Sequence, residues 1–188
     1  MGKAFLHINV SLDGYICDPA GDIDWHFSDD EFQGYLDDLL GSIHGMVFGR
    51  VAFDELAAFW PHAGDEVSAV QRARMHDLPK YVLSRTARET SWHRSTVLGP
   101  DPLEAFRQLV RDAPGDLAVF AGGGAAVSLL AAGLLDELRL VLNPVTLGGG
   151  TRLFDGEYPR ADWRLTGNRP FASGAVVLTY AKVAAPRP

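Results

Sequence analysis

A single cysteine, Cys17, stands in the 188 residues, so no disulfide can form within the chain. A reducing cytoplasm is the compartment this fits. No run approaches the roughly 20 apolar residues of a membrane-spanning helix. The first residues, Met1 to His7, enter a strand-like segment without the apolar core and cleavage site of a signal peptide. Basic residues are in the minority: 17 Lys and Arg against 24 Asp and Glu give a net charge of −7 and a pI near 5.3. That balance disfavours nucleic acid and anionic membrane as main partners. The six histidines, at 7, 26, 44, 62, 76 and 93, lack the i, i+4 spacing of a zinc helix, and one cysteine cannot complete a thiolate site. No metal is expected.

What is present is an ordinary globular composition, 47% hydrophobic and 22% charged, sized for one domain. Phe5–Val10 reads as a buried strand running into the turn Ser11-Leu12-Asp13-Gly14, with an irregular loop over 15–27 behind it. Ser28 and Glu31 fit a capping box, and Phe32, Tyr35, Leu36, Leu39 and Leu40 recur at helical spacing until Gly41 stops the helix. Strands follow at Met46–Phe48, Lys80–Ser84, Thr96–Leu98, Leu117–Ala121 and Leu138–Val145. Helices are expected after the second strand to near Trp60, over 66–76, from Asp101-Pro102 onward, and over about 125–133. Two antiparallel strands close the chain near Trp163–Thr166 and Val176–Tyr180. Strands alternating with helices, then strands alone, predict an α/β fold: a mostly parallel central sheet with helices on both faces and an antiparallel C-terminal edge. Residues 1–183 form one domain in this reading, and 184–188 a frayed tail.

The strongest local signal is Val119-Phe120-Ala121-Gly122-Gly123-Gly124-Ala125-Ala126. A buried strand runs into three glycines and then a helix of small residues. The free N–H groups at the helix start, with the positive end of its dipole, suit a pyrophosphate. The same glycines also suit a plain tight turn. A Rossmann fingerprint fits less well, because Val127 stands where the third glycine belongs. Two other strand ends carry cations: Gly49-Arg50 after the second strand and Ser84-Arg85 after the third. In an open parallel sheet, ligands bind beyond the carboxyl ends of the strands. An Arg beside a hydroxyl is suited to a ribose 2′-phosphate, since guanidinium pairs bidentately with phosphate oxygens.

These segments, in this order, resemble the dihydrofolate-reductase-like superfamily. More closely, the chain resembles the C-terminal reductase domain of the bifunctional riboflavin-biosynthesis deaminase-reductase. The resemblance rests on Ser11–Ile16, Met46–Arg50, Lys80–Arg85, Gly122–Gly124, Leu135–Leu140, Asn143–Val145 and Leu147–Phe154. It implies an NADPH-dependent reductase, commonly a homodimer, acting on a pteridine, pyrimidine or similar heterocycle. It implies that Gly49 and Arg50 meet the cofactor phosphates, Ser84 and Arg85 the 2′-phosphate end, and Gly122, Gly123, Gly124 and Ala125 the pyrophosphate. The chain departs from the riboflavin-pathway enzymes in lacking their Asp-Asp-Pro segment and any deaminase zinc motif. For proton supply or substrate contact, Asp13 at the cleft edge and the Trp25-His26 pair are the candidates. Trp25 suits stacking on a planar ring, and His26 general acid work near neutrality. Asp13 fits a turn residue equally well, and Trp25 a core anchor. The alternative function is a non-catalytic nucleotide- or flavin-binding module on the same scaffold.

Overall fold

The computed structural model describes residues 2–86 and 89–183; the expected tail at 184–188 lies outside them. In chain order the elements are β1 (Ala4–Ser11), β2 (Tyr15–Cys17), α1 (Asp30–Ser42), β3 (Gly45–Gly49), α2 (Arg50–Phe59), a 3-10 turn (Trp60–His62), α3 (Ala69–Asp77), β4 (Lys80–Leu83) and β5 (Ser95–Leu98). There follow α4 (Pro102–Asp112), β6 (Leu117–Phe120), α5 (Gly123–Ala131), β7 (Glu137–Asn143), β8 (Thr151–Arg152), β9 (Trp163–Pro170) and β10 (Val176–Lys182). Eight strands form one sheet in the order β5-β4-β3-β6-β1-β7-β10-β9. The pairs from β5 to β7 are parallel, and β10 pairs antiparallel with both β7 and β9. The α/β class, the parallel body and the antiparallel edge are thus as the sequence pattern implies.

Alternation along each strand sends side chains to two cores. On one face Leu6, Val47, Leu117, Val119 and Leu138 meet Phe106 of α4 and Ala126 and Leu129 of α5. On the other, Phe5, Met46, Phe48, Val82 and Ala118 meet Leu39 and Leu40 of α1, Phe53 of α2 and Met75 of α3. The second core holds one buried cation. Lys80 has no exposed surface. Its ammonium donates to the carbonyls of His76, Leu78 and His93 at 3.0, 2.9 and 3.1 Å and lies 4.8 Å from the Trp92 ring centroid. Burial pulls its pKa down to about 8. Three carbonyls and one aromatic face compensate the desolvation.

Several boundaries differ from the sequence reading. Asp29 caps α1, where Ser28 and Glu31 suggested a capping box: its carboxylate accepts from Phe32 N at 2.7 Å and from Ser173 N at 2.6 Å. The second bond outcompetes a hydroxyl cap because it ties the helix to the β9–β10 turn. Gly41 does not stop the helix, which runs on to Ser42. The helix expected from 125 begins at Gly123, so two of the three glycines lie in its first turn. The loop over 15–27 contains β2, which pairs with β8 as a separate two-stranded sheet. Two- and three-residue strands carry no readable alternation, so neither showed in the pattern.

Candidate functional site

The carboxyl ends of β4, β3 and β6 are neighbours in the sheet. Strands lie about 4.8 Å apart, so Ser84–Arg85, Gly49–Arg50 and Gly122–Ala125 are brought to one edge. Gly49 is where β3 meets α5: a Cβ there would sit 3.2 Å from the Ala125 Cβ. The lack of a side chain lets the two elements close up. Gly122 caps α5 without any side-chain hydrogen bond to the helix start. Among the described residues no side chain accepts from the first-turn N–H groups of α5. Beside them is a cleft of about 510 Å³, whose lining includes Ser84, Arg85, Asp101, Leu103, Gly124 and Ala125. Arg50 and Arg85 are exposed, and among the described residues neither guanidinium has an ionic partner. The Ser84 hydroxyl is engaged locally, donating to Thr86 O at 2.9 Å.

The other flank of the α5 start is covered by β2. A Cβ at Gly122 would fall 2.3 Å from Ile16 Cδ1. The loop before β2 is held by Asp13, whose carboxylate accepts from Ser11 Oγ at 2.6 Å and from the amides of Leu147 and Gly148 at 3.1 and 2.8 Å. The Ser11 hydroxyl and these amides hold its pKa down to about 2. Asp13 is thus an ionised clasp between the β1 turn and the second glycine cluster. That cluster serves the same contact. Gly150 has φ +115, and a Cβ on it would lie 2.0 Å from Cys17 O. Removing the clasp by Asp13→Ala is expected to raise amide exchange at Leu147 and Gly148 above that of the β7 amides. Hydrogen exchange read by mass spectrometry or NMR checks this; unchanged protection would contradict it.

Trp25 and His26 stack edge-to-face with ring centroids 4.5 Å apart, and Trp25 Nε1 donates to Asp22 O at 3.1 Å. Burial, partly opposed by the Asp24 charge, lowers the His26 pKa to about 4. The imidazole is neutral at physiological pH, which removes the premise of a protonated acid there. Its Nε2 is buried and unpartnered among the described residues. The next residue, Phe27, donates its N–H to Asn143 Oδ1 at 2.8 Å. The Trp25–Phe27 segment is therefore pinned across the ends of β1 and β7.

That contact leads to residues which the sequence reading passed over. On its α1-facing side β1 carries His7, Asn9 and Ser11, and β7 carries Glu137, Arg139 and Asn143. The register pairs His7 with Arg139 and Ser11 with Asn143. Asn143, fully buried, donates to Asn9 Oδ1 at 2.9 Å. Arg139 pairs with Glu137 at 2.6 Å and lies 3.7 Å from the Phe5 ring centroid. Tyr35 of α1 stacks on His7 at 5.8 Å. His7 Nε2 and the Tyr35 hydroxyl are buried without partners among the described residues. Burial, aided by Arg139, lowers the His7 pKa to about 3, and burial raises Tyr35 to about 12. Both are neutral hydrogen-bonding groups. A signal was available: within a central strand covered on both faces, every second residue from 7 to 11 is polar.

Neutral burial of His7 has a pH signature. Its folded pKa, about 3, lies below its ordinary 6.5. As pH falls below 6.5 the unfolded chain binds the proton first. The stability from neutral His7 is complete above that pH and is lost progressively toward pH 3, at up to about 1.4 kcal/mol per pH unit. His26 adds a parallel loss down to about 4. His7→Phe is expected to flatten the decline in urea-unfolding free energy between about pH 6.5 and pH 5. An unaltered slope would contradict the buried, neutral state.

With this geometry in view, the comparisons with known proteins are decisive for family. The profile described as the RibD C-terminal domain matches residues 3–177. The chain belongs to that family. It is 30% identical over 179 residues to the uncharacterized protein YyaP of Bacillus subtilis, covering 95% of this chain and 94% of the relative. A Shewanella sp. PV-4 protein named for riboflavin biosynthesis superimposes with a TM-score of 0.77 at 24% identity, over 97% of this chain and 99% of the other. Dihydrofolate reductase from Enterococcus faecalis, in a complex with NADP(H), superimposes with a TM-score of 0.66 at 14% identity, over 96% of each chain. The structural likenesses establish the dihydrofolate-reductase-like fold of this RibD C-terminal domain. Among the described residues no helix is long and apolar enough to cross a membrane.

Proposed function

We propose that this RibD C-terminal domain is an NADPH-dependent reductase of a small planar heterocycle. One observation carries the reading: Ser84–Arg85 and Gly124–Ala125 line the same cleft, beside an α5 start that no side chain caps. The diphosphate accepts from the first-turn amides of α5, an arrangement favoured by the helix dipole. The adenosine end lies toward β4, with Arg85 pairing a 2′-phosphate, and Arg50 stands one strand away.

The opposite end of the dinucleotide then runs toward β1 and β2, where the polar stripe begins. A bound nicotinamide supplies the hydride. This chain's part is to bind, orient and exclude water. Asn9 and Tyr35 offer neutral donors and acceptors to the edge of a heterocycle, and the buried Asn143 and His7 back them. Asp13, already ionised and holding three donors, keeps the β2 loop over the site rather than delivering a proton.

The lack of an evident acid among Asp13 and His26 favours, as a second reading, a nucleotide-binding module without turnover. Calorimetric titration with NADPH, followed by loss of reduced-nicotinamide absorbance across a panel of pterins, pyrimidines and quinones, separates the two. Binding plus oxidation with one class is the expected result. Binding without oxidation supports the module, and failure to bind any nicotinamide nucleotide overturns both.

A further inference from the structure

The cleft that holds Arg85 also holds a carboxylate. Asp101 precedes α4, and its Oδ1 accepts from Glu104 N at 3.2 Å. It lines the same cavity as Arg85, and among the described residues these two are the charged side chains in the lining. Among the described residues Asp101 makes no ion pair. The two hydroxyls in the lining are engaged: Ser84 with Thr86 O at 2.9 Å and Ser128 with Gly124 O at 2.7 Å.

Resting on the proposed nucleotide reading, we infer that Asp101 sets the choice between phosphorylated and unphosphorylated dinucleotides. It opposes the ribose 2′-phosphate that Arg85 attracts, and it accepts from a free 2′-hydroxyl. A carboxylate is a good acceptor for that hydroxyl and a like charge to a phosphate. Both side chains line one cavity of about 510 Å³, so a phosphate held by Arg85 shares the cleft with the Asp101 carboxylate. The cleft takes NADH as well as NADPH with a narrow preference between them.

The test compares NADPH and NADH binding by calorimetry in the full chain, Asp101→Asn and Asp101→Ser. Asn and Ser keep an N-cap acceptor, so α4 retains its start while the charge is removed. Circular dichroism and thermal melting verify the fold. The expected result is NADPH affinity raised about three- to tenfold and NADH affinity lowered at least about twofold. The NADPH gain shrinks in high salt. Arg85→Ala shifts the ratio the opposite way. Should both nucleotides bind the wild type and shift equally, or not at all, in both Asp101 variants, this inference falls and the nucleotide reading stands. Should the wild type bind neither, the nucleotide reading falls and takes this inference with it.

Discussion

Gly124→Asp is expected to weaken NADPH binding by at least about 100-fold while leaving the fold intact. A Cβ at Gly124 meets nothing within 4 Å, and the residue is not among the positive-φ glycines. The new carboxylate enters the first turn of α5, where the helix dipole favours an acid by about 0.3–1 kcal/mol. Stability is thus held or slightly raised. Binding responds in the opposite sense, because the carboxylate occupies the position claimed for the diphosphate. Two like charges about 4 Å apart near a protein surface repel by roughly 4 kcal/mol. Even half to two-thirds of that corresponds to about 30- to 100-fold, and the lost amide contacts add to it. Gly124→Ala, which adds a methyl group without charge, is the control and keeps most of the affinity. Calorimetry alongside thermal melting reads both effects. Unchanged binding in a folded Gly124→Asp protein would move the diphosphate away from α5.

The second large effect concerns stability. Lys80→Met is expected to cost about 2–4 kcal/mol, because three carbonyls lose a shared charged donor. Methionine preserves much of the stem volume, but the carbonyls of His76, Leu78 and His93 lose their shared donor. Those carbonyls come from the end of α3, the turn into β4 and the segment before β5, so three elements lose one tie. Urea denaturation checks the figure through the shift in midpoint at constant slope. A cost below about 1 kcal/mol would mean that the cage relaxes to water without penalty. Since β4 leads directly into Ser84 and Arg85, weaker nucleotide binding is expected to accompany the loss.

The parallel body of the sheet was legible because its strands are short apolar runs bounded by turn residues, and β3, β5 and β6 are each followed directly by a helix. Gly122–Gly124 and the Arg-bearing strand ends were legible as features of strand ends, and the sheet order makes β4, β3 and β6 neighbours at one edge. Side-chain roles were harder to read. Asp13-Gly14 signals a turn, but nothing local reveals that its carboxylate reaches the amides of Leu147 and Gly148, more than 130 residues away. The ordinary pKa of histidine made His26 attractive; burial, invisible to the sequence, lowers it to about 4. Lys80 opens the third strand in the sequence, and only the fold brings three carbonyls to it. The polar alternation of β1 was readable in principle, since a strand buried on both faces has no solvent side on which to place His7, Asn9 and Ser11.

A crystal structure of the complex with NADPH tests the central claim most directly. The account predicts diphosphate oxygens within hydrogen-bonding distance of the Gly123, Gly124 and Ala125 amides, with the adenosine ribose against Arg85. A diphosphate bound elsewhere on the chain, leaving the start of α5 to solvent, would contradict it.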